Sequence, residues 1–147
     1  MTTRDPAQAA AQPGELGAAG PVRLPAIRVR TEPNEVAAFS RETFAAGTGD
    51  FVPLTFPFRW FTLPPVRALI MQLSGGEEFL PVHEAQSFVY ERSLRTGADY
   101  VLDIAIETSE TPPRLTLKMT VAALQGEICA RLETILRIVR LKGETLS

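Results

Sequence analysis

The chain has 147 residues, 45% of them hydrophobic, and a formal charge of 15 − 17 = −2. That length supports one domain with a real core rather than two, and the near-neutral balance argues against a general nucleic-acid binder, which needs a basic face for phosphate. A single cysteine and a single histidine exclude an internal disulfide and a Cys/His zinc site; carboxylate-held metals stay open, without EF-hand spacing.

Residues Met1 to Pro21 are rich in Ala, Gly, Pro and Gln, with Met1 and Leu16 as the only large apolar side chains. Such a segment cannot offset its ordering entropy by burial, so residues 1–21 are expected as a disordered tail and residues 22–147 as one domain. The tail has no continuous apolar run, and Asp5 and Glu15 sit where an export signal avoids acids. Nothing approaches the roughly 18 uninterrupted apolar residues of a membrane span; Phe51 to Leu73 comes nearest, but Arg59, Arg67 and several prolines interrupt it. The expected location is cytoplasmic.

Along the rest of the chain, Ile27 and Val29 alternate with Arg28 and Arg30, a short strand of period two. Thr31-Glu-Pro-Asn34 offers a turn and an N-cap, and Val36, Ala37, Phe39 and Phe44 fall near helical spacing. Gly47, Gly49 and Asp50 mark a loop. Val66, Leu69, Ile70 and Leu73 then fit the i, i+3, i+4, i+7 template of a buried helix. Pro64 and Pro65 fit only a first turn, so the helix starts late or is broken, and Gly75-Gly76 closes it.

The second half reads as strands. His83 to Leu94 alternates weakly, with Phe88 and Tyr90 on one face and Val89 on the other. Tyr100, Leu102, Ile104 and Ile106 alternate cleanly, and Leu115 to Val121 repeats the pattern after Pro112-Pro113. Gln125-Gly126-Glu127 turns the chain into Ile128, Ala130, Leu132, Thr134, Leu136 and Ile138. Hairpin-joined strands with one buried helix imply an α+β fold in which an antiparallel sheet wraps around a central helix, the hot-dog architecture.

Three segments carry a resemblance to the MaoC-like dehydratases, and within them to the N-terminal-type half. VPLTFPF (Val52 to Phe58) resembles the entry to that family's central helix. VHEAQSFVYERSLRTGADYVLDIAI (Val82 to Ile106) resembles its His-x-x-Gln-x-Phe-x-Tyr strand and the bend after it, and GEICARLETILRIV (Gly126 to Val139) its closing strand. Active (R)-specific enoyl-thioester hydratases carry Ser/Thr-Gly-Asp-x-Asn-Pro-Leu/Ile-His. Here Thr48-Gly49-Asp50-Phe51-Val52-Pro53-Leu54-Thr55 occupies that stretch: Asp50 and Pro53 match, Val52 stands for the Asn, and Thr55 for the His.

The resemblance implies hydration or dehydration of a 2-enoyl thioester, with an Asp and a His sharing one water and a backbone N–H at the helix start meeting the thioester oxygen. It implies no cofactor. Thr55 holds a water but is no base near neutral pH, so the chain alone is expected as a weak hydratase or an inactive one. Candidate catalytic residues are Asp50 and His83; candidate substrate-binding residues are Thr55, Phe56, Trp60 and Arg92. Each has a plainer reading: Asp50 as a loop or cap residue, His83 as a structural histidine, Phe56 and Trp60 as core, and Arg92 and Arg95 as solvated arginines rather than phosphate ligands of coenzyme A or an acyl carrier. Cys129 reads as a small buried side chain.

Two functions follow. The chain is either a degenerate MaoC-like subunit that shapes an acyl pocket and pairs with a catalytic MaoC-like chain, or a stand-alone homodimeric hot-dog thioesterase or acyl-thioester binder using Asp50 or Glu42. The absence of Asp and Glu from Leu54 to Ser74 lowers the second. The expected partners are an acyl-CoA or acyl-carrier thioester and a second hot-dog chain, with neither nucleic acid nor membrane. Apolar residues on both faces of the strands (Tyr100, Leu102 and Ile104 against Val101 and Ala105, Leu136 and Ile138 against Ile135 and Val139) point to a dimer whose central helices lie close together, with any acyl pocket beside the interface.

Overall fold

The computed structural model describes residues 20–43 and 50–141. The expected tail therefore lies outside the described residues except for Gly20 and Pro21, as do Phe44, Gly47 and Gly49 of the expected helix and loop. The elements are β1 (Val22–Arg23), β2 (Ile27–Arg30), α1 (Pro33–Glu42), a 3-10 helix (Phe56–Thr62), α2 (Pro64–Ser74), β3 (Phe79–Tyr90), β4 (Asp99–Glu110), β5 (Pro113–Ala123) and β6 (Ile128–Arg140).

The strands form one antiparallel sheet in the order β1-β4-β5-β6-β3, with β2 also paired to β4. β1 and β2 together act as one broken edge strand along β4, with Val22 opposite Ile106 and Ile27 opposite Leu102. At the other edge, β3 pairs only with β6. Residues opposite one another share a face, so Leu102, Val121 and Ala130 point one way with Ile104, Met119 and Leu132. This inner face is almost wholly buried, and it carries the alternating apolar residues read from the sequence. Each fully buried Leu or Ile there contributes about 1.5–3 kcal/mol of transfer free energy.

The 3-10 helix and α2 lie on the inner face. The late start of the central helix follows from Pro64 and Pro65, which fill the first turn, where no intrahelical N–H is needed. Gly75 ends it at φ 105°; a Cβ there would be 3.0 Å from the Phe79 ring. The helix is less enclosed than its composition suggests. Val66 is buried, Leu69, Ile70 and Leu73 are half-buried, and Met71 is 51% exposed.

The N-cap of α1 falls within the expected segment Thr31 to Asn34, at Glu32, and carries no side-chain bond. The Thr31 hydroxyl, fully buried, instead donates to the Arg95 carbonyl at 2.6 Å and accepts from the Ala98 N–H at 3.0 Å. β3 begins at Phe79, earlier than the His83 of the weak alternation, because β6 is long enough to pair with it from Arg140 onward. On the outer face, Ala105 is buried and Val101, Ile135 and Val139 are half-buried, while Leu80, Val82 and Val89 of β3 are exposed.

Candidate functional site

The segment aligned with the hydratase motif is held at the end of the sheet by backbone bonds. The Thr96 N–H donates to the Asp50 carbonyl and the Val52 N–H to the Leu94 carbonyl, both at 2.8 Å, so residues 50–52 run along the bend between β3 and β4. Phe51 and Arg95 form a bridge there, with the Arg95 guanidinium 5.2 Å from the Phe51 ring centre. The chain then turns: the Phe56 N–H reaches the Pro53 carbonyl at 3.0 Å and the Phe58 N–H the Thr55 carbonyl at 3.2 Å, opening the 3-10 helix. The Asp50 and Thr55 residues are both exposed.

From this turn an aromatic row crosses to β3. Phe61 and Phe58 lie 6.1 Å apart, Phe58 and Phe88 6.1 Å, and Phe88 and Tyr90 5.7 Å. The Tyr90 hydroxyl donates to the Leu54 carbonyl at 2.7 Å, fastening the row to the motif. Burial pushes the Tyr90 phenol well above its usual range, so it stays a donor throughout the physiological range. Phe88 is 37% exposed and Leu54 46%, which leaves the row as an open apolar ledge beside Thr55. Phe88 was not a candidate from sequence; the signal was there in the shared face of Phe88 and Tyr90.

The other candidates lie as follows. Phe56 is fully buried, stacked edge-on between Phe39 at 5.4 Å and Trp60 at 6.0 Å, and Trp60 is 5% exposed, so both pack in the core beneath the ledge. Arg92 is exposed but already paired, 2.6 Å from Glu127. His83 is on the inner face of β3, exposed, with its Nε2 3.1 Å from the Gln86 Oε1. Seven residues separate it from Tyr90, roughly 23 Å of strand, so one chain does not bring His83 to Asp50. Cys129 is buried, and that burial raises its thiol pKa.

The expected helix-start donors are few. Pro64 and Pro65 have no N–H, and the N–H groups of Phe56 and Phe58 are spent within the 3-10 turn. Two larger hollows lie away from the motif. One, of about 430 Å³, crosses the outer face between Asp103, Lys118 and Arg131. The other, about 480 Å³, opens at the C-terminal end of α2 over Leu73, Phe79 and Ile138.

No protein-family model matches the sequence, and no curated protein does. Solved structures do resemble it. A 3R-hydroxyacyl-ACP dehydratase complex, HadBC from Mycobacterium tuberculosis, has a chain with TM-score 0.59 at 17% identity over 78% of this chain and 92% of that one. A 1,4-dihydroxy-2-naphthoyl-CoA thioesterase from Synechocystis gives 0.59 at 8%, covering 82% and 84%. A hot-dog-like protein from Thermanaerovibrio acidaminovorans gives 0.62 at 12%, covering 86% and 87%. At such identities the likeness speaks for the fold. The sheet order, the central helix on its inner face and these neighbours agree: the chain has the hot-dog fold.

Proposed function

We propose that this chain is an acyl-thioester protein of the hydratase and dehydratase type, a MaoC-like subunit with a degenerate motif, which shapes an acyl pocket and works with a second hot-dog chain in the cytoplasm. The observation that carries this reading is the open ledge of Phe58, Phe88 and Tyr90 bonded directly to the motif at Leu54. An acyl chain laid on it would hold the thioester near Asp50 and Thr55. Thr55 offers a hydroxyl to position a water but takes no proton at neutral pH. The loss of a base of this kind costs ~10²–10⁴ in rate, which is why a catalytic MaoC-like partner belongs to the reading. The dehydratase neighbour supports it as an analogy of fold.

A thioesterase or acyl-thioester binder is the second reading, favoured by the thioesterases among the structural neighbours. Against it, no Asp or Glu occurs from Leu54 to Ser74 to activate water beside the central helix. One assay separates them. Incubation of the chain with crotonyl thioester, alone and with a candidate MaoC-like chain, should give little hydration alone and a steep rise in the mixture. Free thiol released by the chain alone, with no effect of the second chain, overturns the proposal in favour of the thioesterase.

A further inference from the structure

The inner face of β3 carries a polar pair that a regular strand would not place there. Side chains alternate between faces, so residues three apart point to opposite sides. His83 and Gln86 depart from this. His83 lies opposite Leu136 and Gln86 opposite Thr134, both on the inner face, because the irregularity between His83 and Ala85 inserts a residue. The inserted Glu84 reaches the outer face, where Arg114 holds it at 2.6 and 3.1 Å and Arg137 at 3.1 Å. On the inner face the same insertion brings two polar side chains together, with His83 Nε2 3.1 Å from Gln86 Oε1.

This pair stands at the far end of the aromatic ledge. From Tyr90, which meets the motif at Leu54, the inner row of β3 runs through Phe88 to Gln86 and His83. Behind it on β6 lie Ala130, Leu132 and then Thr134. Thr134 is the one polar residue among the buried inner-face positions of β4, β5 and β6, and it sits directly opposite Gln86. The row is therefore apolar over four residues of strand, roughly 13 Å, and then closes on a polar cluster.

We infer that this cluster reads a hydroxyl group on the bound acyl chain, so that the ligand is a medium-chain acyl thioester hydroxylated about 13 Å from its thioester carbon. The inference rests on the acyl-thioester reading, which sets the thioester beside Thr55 and the chain along the ledge. A bulge that re-aims side chains beside a binding surface is a common use of this irregularity, and here two arginines anchor it from the opposite face.

The chemistry of the pair selects a hydroxyl. In the Nε2–H tautomer His83 donates to the Gln86 Oε1; Gln86 keeps its amide N–H donors and His83 keeps the Nδ1 lone pair. A donor and an acceptor are thus left side by side. A hydroxyl answers both, a carboxylate only the donor, and a methyl group covers both and satisfies neither. A site that hydrogen-bonds its ligand discriminates against the analogue lacking the group, whereas an apolar pocket barely separates the two. Both side chains are exposed, so the site needs no opening.

Equilibrium binding of acyl-pantetheine thioesters to the full chain tests this. The ω-hydroxydecanoyl thioester reaches the pair and should bind about tenfold more tightly than the decanoyl thioester, the effect of one such bond. The ω-hydroxyhexanoyl thioester falls short of the pair and should gain nothing over hexanoyl. Gln86→Leu and His83→Leu should each erase the preference for the hydroxylated ligand without weakening decanoyl binding. Equal weakening of both ligands would assign the pair a structural role and overturn the inference. Equal affinity of the two decanoyl ligands for the wild type, or a preference that survives both substitutions, overturns it too and leaves the ledge as a plain acyl surface. Binding of none of these thioesters overturns the acyl-thioester reading itself, and the inference with it.

Discussion

The Tyr90 hydroxyl donates to the Leu54 carbonyl oxygen at 2.7 Å, and this bond joins the last residue of β3 to the motif segment 36 residues earlier in the chain. It does two things at once. The phenol ring becomes the end of the aromatic row, and the turn carrying Thr55 becomes tied to the sheet rather than left as a free loop. Leu54 itself is exposed, so little else fastens that carbonyl.

Tyr90→Phe should therefore lower stability by about 1 kcal/mol, the net contribution of one such bond, read as a shift in denaturant midpoint at unchanged slope. The pH dependence gives a second readout. The folded-state pKa lies above the ordinary 10.0, so the folded chain holds a proton that the unfolded chain releases. Its contribution is complete below about pH 10 and is lost as pH rises beyond it. The wild type should lose stability along that alkaline limb more steeply than Tyr90→Phe. Equal alkaline slopes in the two proteins would show that the phenol is not held as described.

Thr31→Val removes a hydroxyl and keeps the shape. The hydroxyl is fully buried and serves the Arg95 carbonyl and the Ala98 N–H. Valine leaves both without that partner, at a cost of about 1–3 kcal/mol. The effect should reach the site, because the same bend holds the Asp50 carbonyl through the Thr96 N–H. Hydrogen exchange at Thr96 and Val52 should accelerate in the variant, and unchanged exchange there would separate the bend from the motif.

Much of the fold was legible because burial on one face writes itself into alternation. Tyr100 to Ile106, Leu115 to Val121 and Ala130 to Ile138 read as strands, and Val66 to Leu73 as a helix, since the buried inner-face positions of β4, β5 and β6 carry nothing polar larger than Thr134. β3 was harder. As an edge strand it is exposed on both faces, so neither face imposes a pattern, and Pro81 argues against a strand until one sees that its missing N–H is on the free edge. The bulge at Glu84 depends on pairing with β6 and leaves no local signal. The site was legible as a motif but not as a place. Asp50 and Thr55 could be named from spacing, whereas the separation of His83 from them, and the contact of Phe58 with Phe88, are tertiary distances.

Glu84 has its own prediction. At the bulge it takes a two-pronged contact from Arg114, at 2.6 and 3.1 Å, and a further one from Arg137 at 3.1 Å. The Arg114 hydrogen bond, foremost among these, holds its carboxyl below the ordinary 4.5, with desolvation, next in size, opposing it. A depressed carboxylate stabilises the fold above its unfolded pKa, and the contribution is lost as pH falls below it. The melting temperature of the wild type should therefore drop below about pH 4.5, and Glu84→Gln should flatten that acid limb while lowering the value near neutral pH. The group is exposed, so the shift should also shrink in high salt. A limb that is insensitive to the substitution would assign the acid loss to other carboxylates.

Thr55→His puts the degenerate-motif reading to its most direct trial. The turn at residues 53–56 is already closed by the bond from the Phe56 N–H to the Pro53 carbonyl, and residue 55 is exposed, so an imidazole fits without disturbing the core. If Thr55 stands where hydration needs a base, the variant should gain crotonyl-thioester hydration by ~10² or more over the wild-type chain. The gain should follow a single ionisation near the ordinary histidine range of about 6.5, with activity rising as the imidazole loses its proton. Adding Asp50→Asn should return the rate to the starting level, because the two groups are meant to share one water. Hydrolysis of the thioester, read as released thiol, should not rise in parallel. A folded Thr55→His protein with no gain, or a gain indifferent to Asp50→Asn, would sink the role given to this turn and leave the aromatic ledge as a binding surface alone.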